Sequence, residues 1–142
     1  MRRAKWMIGL ALAAGVALPL FLPGGFYGAA NVRLPSWLTV YGVRGATHLQ
    51  AIGDNPILVS DSTTTVTLRD LVFDGTVAGG NETDPGLLVL RACEKLELDG
   101  LRLVGGVAGV HLERCAGRIE NCLVEDSRDT GIFATDSWGL TI

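Results

Sequence analysis

The hexapeptide Leu96-Glu97-Leu98-Asp99-Gly100-Leu101 recurs in altered form at three other places in this chain. The matching segments begin at Leu38, Val66 and Gly117 and align with it without gaps. The third position of the repeat is apolar in every copy: Val40, Leu68, Leu98 and Ile119. The fifth position holds residue types that adopt a left-handed backbone at low cost: Gly42, Asp70, Gly100 and Asn121. A short strand followed by a bend, at a period of about 20 to 30 residues, predicts a coiled β-solenoid.

A second repeat runs through the chain in phase with the first. It consists of a glycine and an alternating strand in residues 86–90, 109–113 and 131–135, at steps of 23 and 22 residues. The alternation predicts an apolar set that faces inward: Leu87, Val89, Val110, Leu112, Ile132 and Ala134. A mixed set is predicted to face outward: Leu88, Leu90, His111, Glu113, Phe133 and Thr135. Two repeats per coil predict at least two parallel sheets, whereas an antiparallel sandwich would show hairpin turns about every 8 to 12 residues and no long-range register.

Length and composition limit the class of protein. The 142 residues suffice for one all-β domain of about five to six coils. The polar excursion over residues 76–85 is interpreted as a loop inserted at one corner of the stack. The formal net charge is −3, and basic residues cluster only at Arg2, Arg3 and Lys5. We therefore expect no nucleic acid as a partner, because binding it requires clustered Lys and Arg.

Residues 1–17 have two interpretations, which the sequence leaves open. Basic residues followed by an uncharged apolar stretch are typical of an export signal, and the adjacent Arg2 and Arg3 suggest the twin-arginine type. Alternatively, Trp6–Ala14 forms a short apolar helix that covers the open end of the solenoid. A stable membrane span is not expected, because glycines and prolines interrupt the apolar stretch. In both interpretations residues 18–142 form the solenoid domain.

The last residues are predicted to lie in a strand. The sequence stops at Gly139-Leu140-Thr141-Ile142, and Leu140 lies one 21-residue step after Ile119, whose column it is predicted to continue. A bare strand edge is prone to pair with other chains. We therefore expect a domain that is truncated at its C-terminus, with further coils or a partner covering this edge.

The three cysteines are predicted to be structural. Cys93 and Cys115 are expected to stack with Ser137 as small residues at one corner of successive coils. A disulfide between these two cysteines is the alternative in an oxidising compartment. Cys122 stands at the repeat position of Val43 and of two leucines, which predicts a buried small side chain. Their spacing matches no zinc site.

Two groups of polar residues are candidates for a functional site. His111 and Glu113 lie two residues apart on the predicted outer face, where a β-helix can form a saccharide groove, although a solvated surface explains the same pattern. The second group is the densest acidic stretch of the chain: Glu125, Asp126, Asp129 and Asp136. These carboxylates could bind calcium or act as the paired carboxylates of a glycosidase. Acidic residues at turns serve equally to bond the local backbone. The sequence indicates no other cofactor or metal.

The opening of the domain carries a family resemblance. Leu18–Tyr27 has the form of an opening strand with the turn Pro23-Gly24-Gly25, and Val32–Pro35 and Gly42–Thr47 continue the pattern. In these segments the chain resembles the pectate-lyase-like right-handed β-helix superfamily, and within it an uncharacterised group of twin-arginine-translocated repetitive proteins of bacteria. The resemblance covers residues 18–142. It implies a right-handed parallel β-helix, a helix before the opening strand, and a periplasmic or extracellular location if the gene carries an export signal.

The resemblance transfers no catalytic residue. Polygalacturonase-type hydrolases of this fold rely on paired aspartates and a Gly-His-Gly segment, and neither occurs here. The calcium and arginine pattern of pectate lyases matches no residues either. We therefore expect an exported, non-catalytic scaffold that contacts polysaccharide or cell-envelope components. The alternatives are a polysaccharide lyase or glycoside hydrolase acting on acidic polysaccharide, and a repeat fragment with no activity of its own.

Overall fold

All regular structure in the described residues is β-strand. The computed structural model describes residues 2–3, 19–53, 55–76 and 86–142. The predicted helix over Trp6–Ala14 and all but the first residue of the excursion 76–85 lie outside these residues. The described strands form three sheets, and every strand pair in them is parallel.

Each sheet is built from strands of successive coils. The first sheet contains, in spatial order, β1 (Arg2–Arg3), β3 (Gly25–Ala29), β6 (Thr47–Ala51), β9 (Val72–Asp74), β12 (Arg102–Val104) and β15 (Leu123–Glu125). The second contains β4 (Val32–Arg33), β7 (Leu58–Asp61), β10 (Leu88–Arg91), β13 (Ala108–Glu113) and β16 (Thr130–Thr135). The third contains β2 (Pro19–Phe21), β5 (Leu38–Tyr41), β8 (Thr65–Arg69), β11 (Lys95–Asp99), β14 (Gly117–Glu120) and β17 (Leu140–Thr141).

The order of these strands along the chain defines a solenoid. From β3 to β17 the chain enters the first, second and third sheet in turn and then repeats that order. Parallel neighbours require such crossover connections, which here are the other two sides of each coil. The prediction of an all-β, parallel β-helix of five to six coils is confirmed.

The predicted apolar column lies at the centre of the third sheet. Val40 pairs in register with Leu68, Leu68 with Leu98, and Leu98 with Ile119. All four side chains belong to the core, and none is more than 4% exposed. Burying one such aliphatic side chain contributes about 1.5–3 kcal/mol, so the column is a main source of stability.

The bend after the strands of the third sheet is left-handed in three of the four predicted positions. Asp70, Gly100 and Asn121 have φ angles of 55°, 66° and 54°. The prediction is wrong for Gly42, which has no positive φ. A Cβ on Gly42 would lie 2.7 Å from the Cβ of Thr47 and almost as close to Leu71, so glycine is needed there for close packing.

A second column of left-handed bends was not apparent from the sequence. It follows the strands of the second sheet, with φ between 49° and 54°, at Ser62, Ala92, Arg114 and Asp136. Alanine and arginine rarely adopt this conformation, so the surrounding ladder must impose it. The backbone N–H of Ala92 donates to the carbonyl of Glu113 at 2.8 Å, which continues the parallel pairing through the bend.

The second sequence repeat was misaligned by one residue in its first step. Leu88 pairs with Val110, a step of 22 rather than 23, whereas Val110 pairs with Ile132 as predicted. Leu88 and Leu90 therefore face the core, and Val89 lies outside the core cluster. The predicted alignment equated Gly86 with Gly109. Their surroundings differ, because Gly109 lies inside β13 in close contact with Val124, whereas Gly86 precedes β10.

Two expectations on single residues are also corrected. Leu140 pairs with Gly117 rather than with Ile119, because the last step of the third sheet is longer than the one before it. Val43 is 44% exposed although it shares a repeat position with the buried Leu71. The longer connection between β5 and β6, with Arg44 and Gly45 in it, leads Val43 away from the core.

Arg44 crosses the bend of Gly100 from two coils away. Its Nε donates to Oδ1 of Asp70 at 2.7 Å. A Cβ on Gly100 would clash with the Arg44 guanidinium and with the Asp70 carboxylate. Gly100 is therefore favoured by its left-handed φ angle, and a side chain there would also displace the Arg44–Asp70 ion pair.

Leu98→Asp is expected to unfold the domain, because it places an unpaired carboxylate in the apolar column at a cost of several kcal/mol. Lys95→Asp, an exposed change on the same strand, is the matched control and should stay within about 0.5 kcal/mol of wild type. Urea unfolding followed by circular dichroism measures both. A Leu98→Asp protein with the wild-type midpoint would contradict the inward orientation of Leu98.

Gly100→Val is expected to lower the free energy of unfolding by about 1–2 kcal/mol through its left-handed φ alone, and further by displacing Arg44. Gly45→Val is the matched control, because Gly45 has a φ of 76° with no atom near its Cβ position. Urea unfolding should therefore show a greater loss for Gly100→Val than for Gly45→Val. Equal losses would contradict the role of the Arg44 crossing.

Candidate functional site

The outer face of β13 brings together the two residues of the predicted saccharide groove. His111 and Glu113 lie two positions apart on β13 and so point to the same side of the sheet. His111 pairs in register with Val89 on β10 and with Phe133 on β16. We call Val89, His111 and Phe133 the ring row.

The ring row ends in a pair of stacked side chains. The ring centroids of His111 and Phe133 are 5.0 Å apart, with 34° between the ring planes. Phe133 is 43% exposed, and His111 is half-buried. Val89 is buried, so the accessible part of the row is the His111–Phe133 pair. An exposed aromatic ring offers an apolar surface against which a ligand can pack.

Beside the ring row runs a line of alternating charges. We call Asp61, Arg91 and Glu113 the charged row, since parallel pairing places them side by side on β7, β10 and β13. Arg91 lies 3.2 Å from the Glu113 carboxylate and 3.9 Å from the Asp61 carboxylate. Arg33 lies 3.3 Å from Asp61. Arg114 lies 2.5 Å from Glu113, so the two carboxylates are shared among three guanidinium groups.

These contacts determine the ionisation of Glu113. Burial of the carboxylate opposes its ionisation, but the hydrogen bonds and charges of Arg114 and Arg91 outweigh burial and lower the pKa of Glu113 below its usual value. A general acid near neutral pH needs a raised pKa instead. Glu113 is therefore suited to accept hydrogen bonds from a ligand and not to donate a proton to one.

The predicted acidic group is spread over two corners of the last coil. Asp126 follows β15 with a φ of 56°, and Asp136 follows β16 with a φ of 49°, so each forms a left-handed bend. The Asp129 carboxylate accepts a hydrogen bond from the Thr130 hydroxyl at 3.2 Å. Glu125 forms an ion pair with Arg102 of the neighbouring coil. Both residues lie on the first sheet, whereas β16 belongs to the second. Turn formation accounts for Asp126 and Asp136, and catalytic or calcium-binding roles for the four acidic residues stay predictions.

No metal site is found in the part of the chain that the structure describes. Within it, no three His, Cys, Asp or Glu side chains are grouped so as to hold a metal ion. Likewise, none of the described residues forms a helix long and apolar enough to cross a membrane.

The cysteines are free thiols in structural positions. The backbone N–H of Cys115 donates to the Ser137 hydroxyl at 3.0 Å, which fits the predicted stack at this corner. Cys93 and Cys115 are buried and unlinked. Burial raises the pKa of the Cys115 thiol and also that of Cys122. Cys122 is only half-buried, so the prediction of a buried side chain is corrected.

Two further pairs of contacting rings were not predicted from the sequence. Phe21 and Tyr41 have ring centroids 5.1 Å apart on the third sheet, and Phe26 and His48 stack at 4.7 Å on the first. A repeat search for aliphatic positions passes over them, because they occupy outward positions of the first two coils. Aligning Phe26 with His48 in register would have found the second pair.

Comparisons of the chain with protein-family models, with curated proteins and with solved structures find no match.

Glu113→Gln is expected to lower the melting temperature at neutral pH, because it removes a carboxylate that two arginines hold ionised. The pKa of Glu113 is lowered in the folded state, so this stabilisation is complete above the pKa of an unfolded glutamate and is lost as pH falls through the folded value. The gap between wild type and variant should therefore close in acid. Thermal melts over a pH series measure it, with the exposed Glu94→Gln as control. A gap that persists in acid would contradict the ion-pair account.

Proposed function

We propose that this protein is an exported, pectate-lyase-like right-handed β-helix that binds glycan on the outer face of β13 without catalysing a reaction. The support for the proposal is the parallel solenoid, the resemblance of residues 18–142 to that superfamily, and above all the ring row beside the charged row. The resemblance and the basic N-terminus support export to the periplasm or the cell exterior, with polysaccharide or envelope components as partners.

The two rows fit the two chemical surfaces of a sugar. A pyranose ring has an apolar face of C–H groups, which packs against an aromatic ring, and a rim of hydroxyl groups. On a strand, residues two apart are separated by about 6.6 Å, so a sugar stacked on Phe133 and His111 places its rim near Glu113. Glu113 accepts hydrogen bonds from hydroxyl groups, and Arg91 donates to them.

The row geometry argues against the alternative of a hydrolase. Asp61 and Glu113 lie on strands two apart, and the guanidinium group of Arg91 stands between their carboxylates and contacts both. Paired carboxylates of glycosidases lie about 5 to 9.5 Å apart with space for sugar or water between them. The lowered pKa of Glu113 also disfavours the role of general acid. Binding is therefore the better-supported function.

Phe133→Ala is expected to weaken binding of a glycan ligand at least about tenfold, which corresponds to about 1.4 kcal/mol of lost stacking. A glycan array followed by isothermal titration calorimetry of the bound oligosaccharide measures this. Phe26→Ala is the matched control, because Phe26 is also exposed and also stacks on a histidine, but on the first sheet. It should bind like wild type.

Two results would contradict the proposal. An equal loss in both phenylalanine variants, or no glycan bound at all, would remove the site from the outer face of β13. Turnover of polygalacturonate or alginate, with or without calcium, that His111→Ala or Asp126→Asn abolishes would establish an enzyme instead. The expected result is binding with no product formed.

A further inference from the structure

We infer that the ligand of the outer face of β13 is an uncharged glycan and not an acidic polysaccharide, an inference that rests on the proposed function. Its basis is the charge balance of the charged row and its neighbours. The ring row selects for a sugar face, whereas the charged row determines which substituents on the rim are tolerated.

Among the described residues, the three arginines with ion pairs at the charged row are each held by a carboxylate. Arg33 contacts Asp61, Arg91 contacts both Asp61 and Glu113, and Arg114 contacts Glu113. A uronate carboxylate would have to displace one of these carboxylates to pair with a guanidinium group. The displaced carboxylate would stay within a few ångströms and repel the incoming charge. Exchange of one carboxylate partner for another therefore brings little or no gain.

The charges at this face also balance in number. Glu113 pairs in register with Thr135, which places Asp136 beside Arg114 in the next coil. With Asp136 included, the described residues of this face contribute three arginines and three carboxylates, whose formal charges sum to zero and so offer a polyanion no net attraction. Long-range attraction of a charged polymer depends on such a net charge. An acidic chain would therefore gain neither steering nor a free ion-pair partner.

Hydroxyl groups, in contrast, match the row as it stands. A hydroxyl both donates and accepts, so it can bond Glu113 and Arg91 at once without separating them. Hydrogen bonds to charged groups are the stronger kind and gain further where a neighbouring ring excludes water. The hydroxyl groups of an uncharged sugar can therefore bond the carboxylates and guanidinium groups without breaking their ion pairs. This fits a neutral hexose or pentose polymer.

Calorimetry with two matched probes tests the inference. The probes are oligomers of homogalacturonan in fully methyl-esterified form, which is uncharged, and in de-esterified form, which is acidic; cellohexaose and xylohexaose serve as further neutral probes. We expect a neutral probe to bind at least about tenfold more tightly than the acidic form. Its affinity should change little between about 0.02 and 0.5 M salt, because no net ion pair forms with the ligand.

A charge variant sharpens the test. Glu113→Gln removes one carboxylate partner from Arg91 and Arg114, so we expect the variant to bind acidic ligands. Its affinity for the de-esterified oligomer should rise at least about tenfold, and salt should abolish this gain. Glu97→Gln is the matched control, because Glu97 holds Arg69 in the same way on the third sheet. It should leave both affinities unchanged.

The possible outcomes distinguish a failure of this inference from a failure of the proposed glycan binding. Tighter binding of the acidic oligomer by the wild-type protein, weakened by salt, would overturn the inference and leave glycan binding intact. Absence of binding to every probe would overturn the proposed function and the inference with it. A Glu113→Gln variant that gains no affinity for the acidic oligomer, while melting as a folded protein, would also contradict the charge-balance argument.

Discussion

Parallel hydrogen bonding from each coil to the next is the constraint on which the rest of the structure depends. It continues through the bends as well as along the strands: the N–H of Asp70 donates to the carbonyl of Asp99 at 3.0 Å, and that of Gly100 donates to Glu120 at 3.1 Å. An uninterrupted ladder fixes the register between coils. Because side chains alternate along a strand, a slip of one residue would turn the apolar column of Leu98 toward solvent. Backbone pairing and core burial therefore specify the same alignment.

The outer surface follows from the same register. Charges that lie far apart in sequence become neighbours about 4.8 Å apart, so Arg91 can hold Asp61 and Glu113 at once. The ring contact of His111 and Phe133 arises in the same way. Exposed ion pairs of this kind contribute little to stability. In the proposed glycan site, these ion pairs determine which charged groups remain available to a ligand.

The sequence predicted the architecture well where the fold requires one class of side chain at a repeat position. An aliphatic residue at each core position of the third sheet made the column from Val40 to Ile119 readable. The sequence was less informative where packing between coils overrides the conformational preference of a residue. Ala92 adopts a left-handed bend that its residue type disfavours, and Gly86 looks equivalent to Gly109 although it lies outside the strand. For the site, adjacency of His111 and Phe133 was predictable from the repeat. The sharing of Glu113 between two arginines was not, because it depends on side-chain geometry across coils.

The in-register column is tested most directly by methyl–methyl nuclear Overhauser effects in a methyl-labelled sample. The in-register column predicts strong cross-peaks between the methyl groups of Val40 and Leu68, of Leu68 and Leu98, and of Leu98 and Ile119. It also predicts none between Val40 and Ile119, which are separated by three strand spacings, about 14 Å. Missing peaks between the adjacent pairs, or strong peaks from Leu98 to residues outside this column and its core neighbours, would contradict the β-helix and every inference drawn from its register.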